Sequence, residues 1–156
     1  MPAPPSLNEE ELLQSGFRYA YALTHHHHDA EDLVQTAWLK LHQRYSEVKT
    51  KALFFTTIRN LYIDQYRRRK RIRFIALTSE HESLSASAAA TGEDTKVAID
   101  QMLSKLRDIE REALFLHIVE GYSANEIATL TGRPRGTVLS LIYRSRKKLT
   151  ALNAVD

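Results

Sequence analysis

The side chains with the most evident chemistry are cations gathered into two runs. The segment RRRKRIR, from Arg67 to Arg73, holds six bases and no acid. Arg133, Arg135, Arg144, Arg146, Lys147 and Lys148 supply six more, with no acid between Arg133 and Lys148. Such groups neutralise phosphate, and Arg also reads base edges, so two separated patches suit two contacts with one polyanion. Each patch alone leaves a plainer reading open, a solvated helix end, because cations favour the last turn of any helix. The opposite charge gathers near the start of the chain, where Glu9, Glu10, Glu11, Asp29, Glu31 and Asp32 stand against the single base Arg18. An acidic face of this kind suits a basic protein partner.

Other chemistries are poorly provided for. The 156 residues include no Cys, which removes disulfides, thiolate zinc sites, iron–sulfur clusters and cysteine nucleophiles together. His25 to His28 followed by Asp29 are metal-ligand types, yet consecutive residues in a loop point in different directions, and the run reads as a polar turn. There is no Gly-rich phosphate loop, no nucleophile motif and no second carboxylate cluster to complete a site, so neither an enzyme nor a cofactor is expected. No run approaches the roughly 18 apolar residues of a membrane span. The opening MPAPPSLNEEELL is acidic where a signal peptide is basic and then apolar, which predicts a cytoplasmic protein without membrane insertion.

Scarce turn residues between positions 6 and 90 argue for an all-α chain. Leu12, Leu13, Ala20, Phe17 and Tyr21 recur at helical spacing and predict a helix ending before His25. Asp29 stands where an N-cap belongs, ahead of an amphipathic helix from Ala30 to Tyr45. A third helix, from about Lys51 to Arg71, carries an apolar stripe with Phe54, Ile58 and Leu61 beside a polar one with Asn60, Asp64, Arg67 and Arg71. Phe54 and Tyr62 read as core. Residues 78–95, TSEHESLSASAAATGEDT, hold too few large apolar side chains to order themselves and read as a flexible linker. Two small helical domains are therefore expected, 1–77 and 96–156. In the second, helices span Val97 to Lys105 and Ile109 to Glu120, with Ala113, Leu114, Leu116, Ile118 and Val119 inside and Gly121 as the stop. Ser123 with Glu126 forms a capping box for a helix ending at Gly132, and Pro134 starts the next, which runs to about Leu152. A short helix, a Gly-bearing turn and a longer basic helix make a helix-turn-helix, built to place the front of its second helix in a major groove.

Three segments, DAEDLVQ at Asp29 to Gln35, TIRNLYIDQYRRRKR at Thr57 to Arg71 and EGYSANEIATLTGRPRGTVLSLIYRSRKKL at Glu120 to Leu149, resemble the extracytoplasmic-function (ECF) sigma factors of bacterial RNA polymerase. Order and spacing both agree. The resemblance implies a polymerase-docking helix carrying Asp29, Glu31, Asp32, Leu33, Val34 and Gln35, facing the coiled coil of the β′ clamp, and a second contact with the β flap. It implies that Arg59, Asn60, Arg67, Arg68 and Arg71 face the minus-ten element, with Asp64 holding a neighbouring Arg and the loop Ser46 to Lys51 forming a base pocket. Arg135, Gly136, Thr137, Leu139, Ser140, Tyr143 and Arg144 sit where such proteins meet the minus-thirty-five element, with Lys147 and Lys148 on phosphates. The acidic linker, with Glu80, Glu82, Glu93 and Asp94, resembles the family segment that threads the nucleic-acid channel.

The chain also departs from the pattern. Leu139 and Leu141 stand where a basic residue is usual, so they read thymine methyls or meet a protein. Thr36 stands where an acid is common, which weakens the expected docking face. The function implied is a promoter-specificity subunit that binds core RNA polymerase and promoter DNA, nucleoid-associated, with an anti-sigma protein as a further partner. The rival reading is a regulator whose helix-turn-helix acts alone, and a histidine-based metal hydrolase stands a distant third.

Overall fold

In a computed structural model of the protein, residues 8–45, 50–76 and 94–153 are described. Every described element is a helix. Helix α1 spans Glu9–Thr24, capped by Asn8, whose Oδ1 accepts the Glu10 N–H at 2.9 Å, with three glutamates in the first turn complementing the helix dipole. His25 ends it in the left-handed region, φ 51°, and His26 starts α2, His27–Arg44, by accepting the Asp29 N–H on Nδ1. The first half of the histidine run, His25 and His26, is thus the turn between two helices, while His27 and His28 open α2. The N-cap is His26 rather than Asp29, because α2 begins three residues earlier than the apolar periodicity shows; Asp29 lies inside its first turn.

Helix α3 spans Lys51–Ala76 and crosses both predecessors. Leu23, Leu33, Ala37, Leu41, Phe54 and Ile58 are buried among these three helices. Gly16 sets their spacing, since a Cβ there would collide with the Phe54 ring. The buried stripe of α1 is rotated from the expected one: Leu12, Gly16, Tyr19, Ala20 and Leu23 face inward, while Leu13, Phe17 and Tyr21 pack at its edge. Tyr19 is buried because a second set of helices covers it.

That set begins with α4, Asp94–Ser104, so the last two residues of the expected linker are helical, and 78–93 lie outside the described residues. Helix α5, Asp108–Leu114, continues into a π turn, Phe115–Val119. The wider turn rotates the helix face: Leu116 stays buried, but Ile118 and Val119 are exposed rather than inside as the 3.6-residue period predicts. Gly121, φ 73°, closes the segment. Helix α6, Ala124–Thr131, has the Ser123–Glu126 capping box, and its C-cap Gly132, φ 69°, turns the chain into α7, Arg135–Asn153. Ile127 of α6 and Val138, Leu141 and Ile142 of α7 are buried in the same cluster where the two helices pack together.

The two sets share one apolar core. The Tyr19 ring lies 4.7 Å from Phe55 and 5.9 Å from Phe115 between centroids, within range for favourable aromatic packing. Polar contacts also cross between the sets. Tyr21 donates to Asp100 at 2.6 Å, Tyr62 to Asp108 at 2.7 Å and Lys51 to Glu120 at 2.9 Å. Arg111 donates to the carbonyls of Ala22 and Leu23, satisfying the C-terminal end of α1, which has no base of its own in its last turn.

Candidate nucleic-acid interface

The first surface is the outward face of α7. Val138 is buried, so residues one step round the helix point away from the core, and Arg135, Gly136, Thr137, Ser140 and Arg144 are all exposed. Leu139 is 42% and Tyr143 66% exposed, and with Ser140 and Arg144 they line a shallow groove. A Cβ on Gly136 would meet nothing within 4 Å, so internal packing does not demand its smallness. The Lys147 ammonium sits 6.0 Å from the Tyr143 ring centroid. This row of guanidinium, hydroxyl, apolar and aromatic groups can reach phosphates and base edges together.

Two residues of that helix behave differently from the sequence reading. Leu141 is 1% exposed and belongs to the domain's own core, so it reads no base and meets no partner; its neighbour two residues back faces out because α7 turns 100° per residue. Lys148 Nζ donates to Glu110 Oε1 at 2.8 Å, making it an internal partner first. Burial pushes the Glu110 carboxyl up, but Lys148 and the Arg107 N–H outweigh it and hold the group below its ordinary value.

The second surface is the outer face of α3. Asn60, Asp64, Arg67, Arg68 and Arg71 are exposed there. Tyr66, 52% exposed, joins them with Lys70 Nζ 6.0 Å from its centroid, so an aromatic face and a cationic rail lie side by side, as single-strand binding needs. Asp64 forms no ion pair among the described residues, which removes the Arg-holding role expected for it. Of the expected base-pocket loop, 46–49 lie outside the described residues, and Lys51 already belongs to α3. Arg59 is the exception on this helix: it turns inward, and its Nε donates to Glu112 Oε2 at 2.8 Å.

On α2 the set expected to dock on polymerase divides. Glu31, Asp32 and Gln35 are exposed, whereas Leu33 and Val34 are buried against α1 and α3 and are taken up by the chain's own core. Asp29 is half-buried and pairs with Arg69 at 3.2 Å, linking the acidic end to the first basic run.

What the sequence reading missed is a charged cluster under both surfaces. Glu112, 1% exposed, accepts from Tyr19 at 2.5 Å, Arg59 at 2.8 Å and, on its other oxygen, Arg133 at 2.8 Å. A lone buried carboxylate is costly, so three donors converge on it. Burial, with the neighbouring carboxylate second, pushes the Tyr19 phenol well above its ordinary range. A signal was present in the sequence: Glu112 lies four residues before Leu116 and three after Ile109, on the apolar face of its helix.

Comparison with known proteins finds similarity along both sets of helices. Residues 10–72 match the family described as Sigma-70 region 2, and residues 96–149 match Sigma-70, region 4. The chain is 32% identical to the ECF RNA polymerase sigma factor SigE of Mycolicibacterium smegmatis, with 85% of this chain covered and 55% of SigE, so it spans about half of that relative. It is also 32% identical to ECF RNA polymerase sigma factor EcfG of Rhodopseudomonas palustris, over 100% of this chain and 90% of EcfG. Among solved structures, the sigma factor RpoE of Bartonella quintana, crystallised with the anti-sigma factor NepR, superposes with a TM-score of 0.72 and 30% identity, covering 94% of each chain. With both sigma-70 regions matched in order and a 32% identical relative matched over all of this chain and 90% of its own length, the chain belongs to the ECF RNA polymerase sigma factor family.

Proposed function

We propose that this protein is an alternative sigma factor that joins core RNA polymerase and directs it to a particular set of promoters, with no catalysis of its own. In this reading residues 1–77 and 96–156 are its two working units, joined by 78–95. Glu31, Asp32 and Gln35 dock on the β′ clamp coiled coil through the exposed acids of α2. Asn60, Arg67, Arg68 and Arg71, with Tyr66, face the minus-ten element, where the aromatic and cationic rows suit unpaired bases and backbone. Arg135, Gly136, Thr137, Leu139, Ser140, Tyr143 and Arg144 meet the minus-thirty-five element, and Lys147 adds a phosphate contact. Promoter binding places the protein at the nucleoid, and an anti-sigma protein is a natural partner given the complex in which RpoE was solved.

The observation that carries this reading is the coexistence of two separate DNA-suited faces with an acidic protein-docking face on one chain. A stand-alone regulator needs only α6 and α7. The test is transcription by core polymerase reconstituted with the protein on a promoter library. Promoter-selective initiation is expected, with Asp32→Lys weakening core binding at matched salt because Asp32 is exposed and its reversal repels a basic coiled coil. Selective DNA binding by the protein alone, with no polymerase-dependent transcription, would favour the regulator instead.

A further inference from the structure

Glu112 draws together residues from both ends of the chain. Tyr19 lies on α1 and Arg59 on α3, while Arg133 lies in the turn between α6 and α7, and all three donate to one buried carboxylate on α5. Arg59 stands on the helix whose outer face carries Asn60, Arg67 and Arg68, and Arg133 belongs to the second basic run beside Arg135. Each guanidinium commits one N–H to the buried carboxylate, Nε for Arg59 and Nη1 for Arg133, which offsets its charge and keeps its side chain only 13% and 22% exposed, away from an outside phosphate.

We propose that Glu112 is an internal stand-in for DNA phosphate: by holding Arg59 and Arg133 it latches the two DNA-reading halves onto each other, and the protein must release both cations together to engage a promoter. The inference rests on the sigma-factor reading only in assigning α3 and the helix-turn-helix to DNA. The rest of the contact between the halves fits a joint that opens. Besides the shared apolar core it is sealed by Tyr21 on Asp100, Tyr62 on Asp108, Lys51 on Glu120 and Arg111 on the α1 carbonyls, all groups that water can satisfy after separation. Among the carboxylates in these contacts Glu112 is buried to 1% exposure, against 8% for Glu120 and 39% for Asp100, and it alone takes two cations. Its charge is therefore the contact that opening must rehydrate, and DNA offers the two arginines a replacement anion at that moment.

The absence of Cys allows a direct test on the full chain. Lys40→Cys on α2 and Thr150→Cys on α7, both exposed positions outside the proposed interfaces, take a donor and an acceptor dye. The latch requires high energy transfer in the otherwise unaltered protein, lower transfer after Glu112→Gln, and tighter binding of the glutamine variant to a non-specific DNA duplex. Each released cation that finds a phosphate steepens the salt dependence of log affinity by about 0.9, so the slope should rise by up to roughly two units. Tyr19→Phe, which removes one donor and no charge, should shift both readings the same way by less. Unchanged transfer and an unchanged salt slope in folded Glu112→Gln overturn the latch, as does loss of helical circular dichroism in both variants, which would make Glu112 a folding residue. Transcription assays separate the two readings: a latch that opens in a protein giving no polymerase-dependent transcription removes the sigma-factor role alone, and promoter-selective transcription with no effect of Glu112→Gln removes the latch alone.

Discussion

The Tyr62 hydroxyl donates to the Asp108 carboxylate at 2.7 Å, tying the middle of α3 to the first turn of α5 across 46 residues of sequence. Tyr21 makes the same kind of bond to Asp100, and Tyr19 to Glu112. In all three phenols burial, then the accepting carboxylate, raises the pKa above the ordinary value of 10.0. A group whose folded pKa is raised contributes stability that is fully present below the unfolded pKa and is lost as pH rises through the folded one. The contact between the two helical sets should therefore weaken above about pH 10. Tyr21→Phe and Tyr62→Phe should each remove part of that alkaline slope and about 1 kcal/mol of stability at neutral pH. Denaturation followed from neutral to alkaline pH beside the phenolate absorbance checks this, and a variant with the parent's full slope contradicts it.

Lys147 and Lys148 are adjacent in sequence but differ in task, because Lys148 is held by Glu110 and Lys147 only flanks Tyr143. Lys147→Ala should lower the salt slope of DNA binding by about one unit, while Lys148→Ala leaves it nearly unchanged. Lys148→Ala should instead cost about 1 kcal/mol of stability, since Glu110 is buried and keeps only the Arg107 N–H among these partners. The Glu110 carboxyl is held below its usual value, so that contribution is present above about pH 4.5 and fades as pH falls through the folded value. Salt titrations and urea melts on the two single variants distinguish them, and equal salt slopes would contradict the assignment.

The spacing of α1 and α3 depends on one missing methyl group. Gly16 faces the Phe54 ring, which is wholly buried and also packs edge-on against Trp38 at 5.5 Å between centroids. Gly16→Ala offers better helix propensity but forces the ring into neighbours that are already in contact, and overpacking of this kind typically costs about 1–3 kcal/mol. Urea denaturation should show a lowered midpoint. A raised midpoint would mean that Phe54 has room to move.

Local signals account for what could be read from the sequence. The Ser123–Glu126 capping box, the Gly132 stop and the start of α7 after Pro134 each depend on residues within four positions, and all are found. The π turn escaped notice because Phe115–Val119 keeps an apolar composition while its face rotates. The Glu112 cluster escaped for another reason. Tyr19 and Glu112 are 93 residues apart, and no periodicity within one helix reports a partner on another. Leu33 and Val34 sit within a motif that also carries exposed acids, and only the packing of α2 against α1 and α3 separates the buried pair from the accessible one.

Leu139 is the departure from the expected basic pattern that lies on an open surface. It follows Arg135 by four residues and precedes Tyr143 by four, so the three share one stripe of α7, and the structure leaves all of them exposed. Leu141, the second departure, lies on the opposite side beside Val138 and Ile142 and has no access to DNA. The two leucines should therefore respond oppositely to the same change. Leu141→Lys buries an unpaired ammonium and should unfold the helix-turn-helix. Leu139→Lys should leave the fold intact, raise non-specific DNA affinity through one added phosphate contact, and, on the proposed thymine-methyl contact, blur discrimination at one base position. A library of upstream elements, scored for transcription with core polymerase, reads that blurring directly. Selectivity unchanged at every position after Leu139→Lys would remove the methyl contact and leave Leu139 as an ordinary exposed apolar residue.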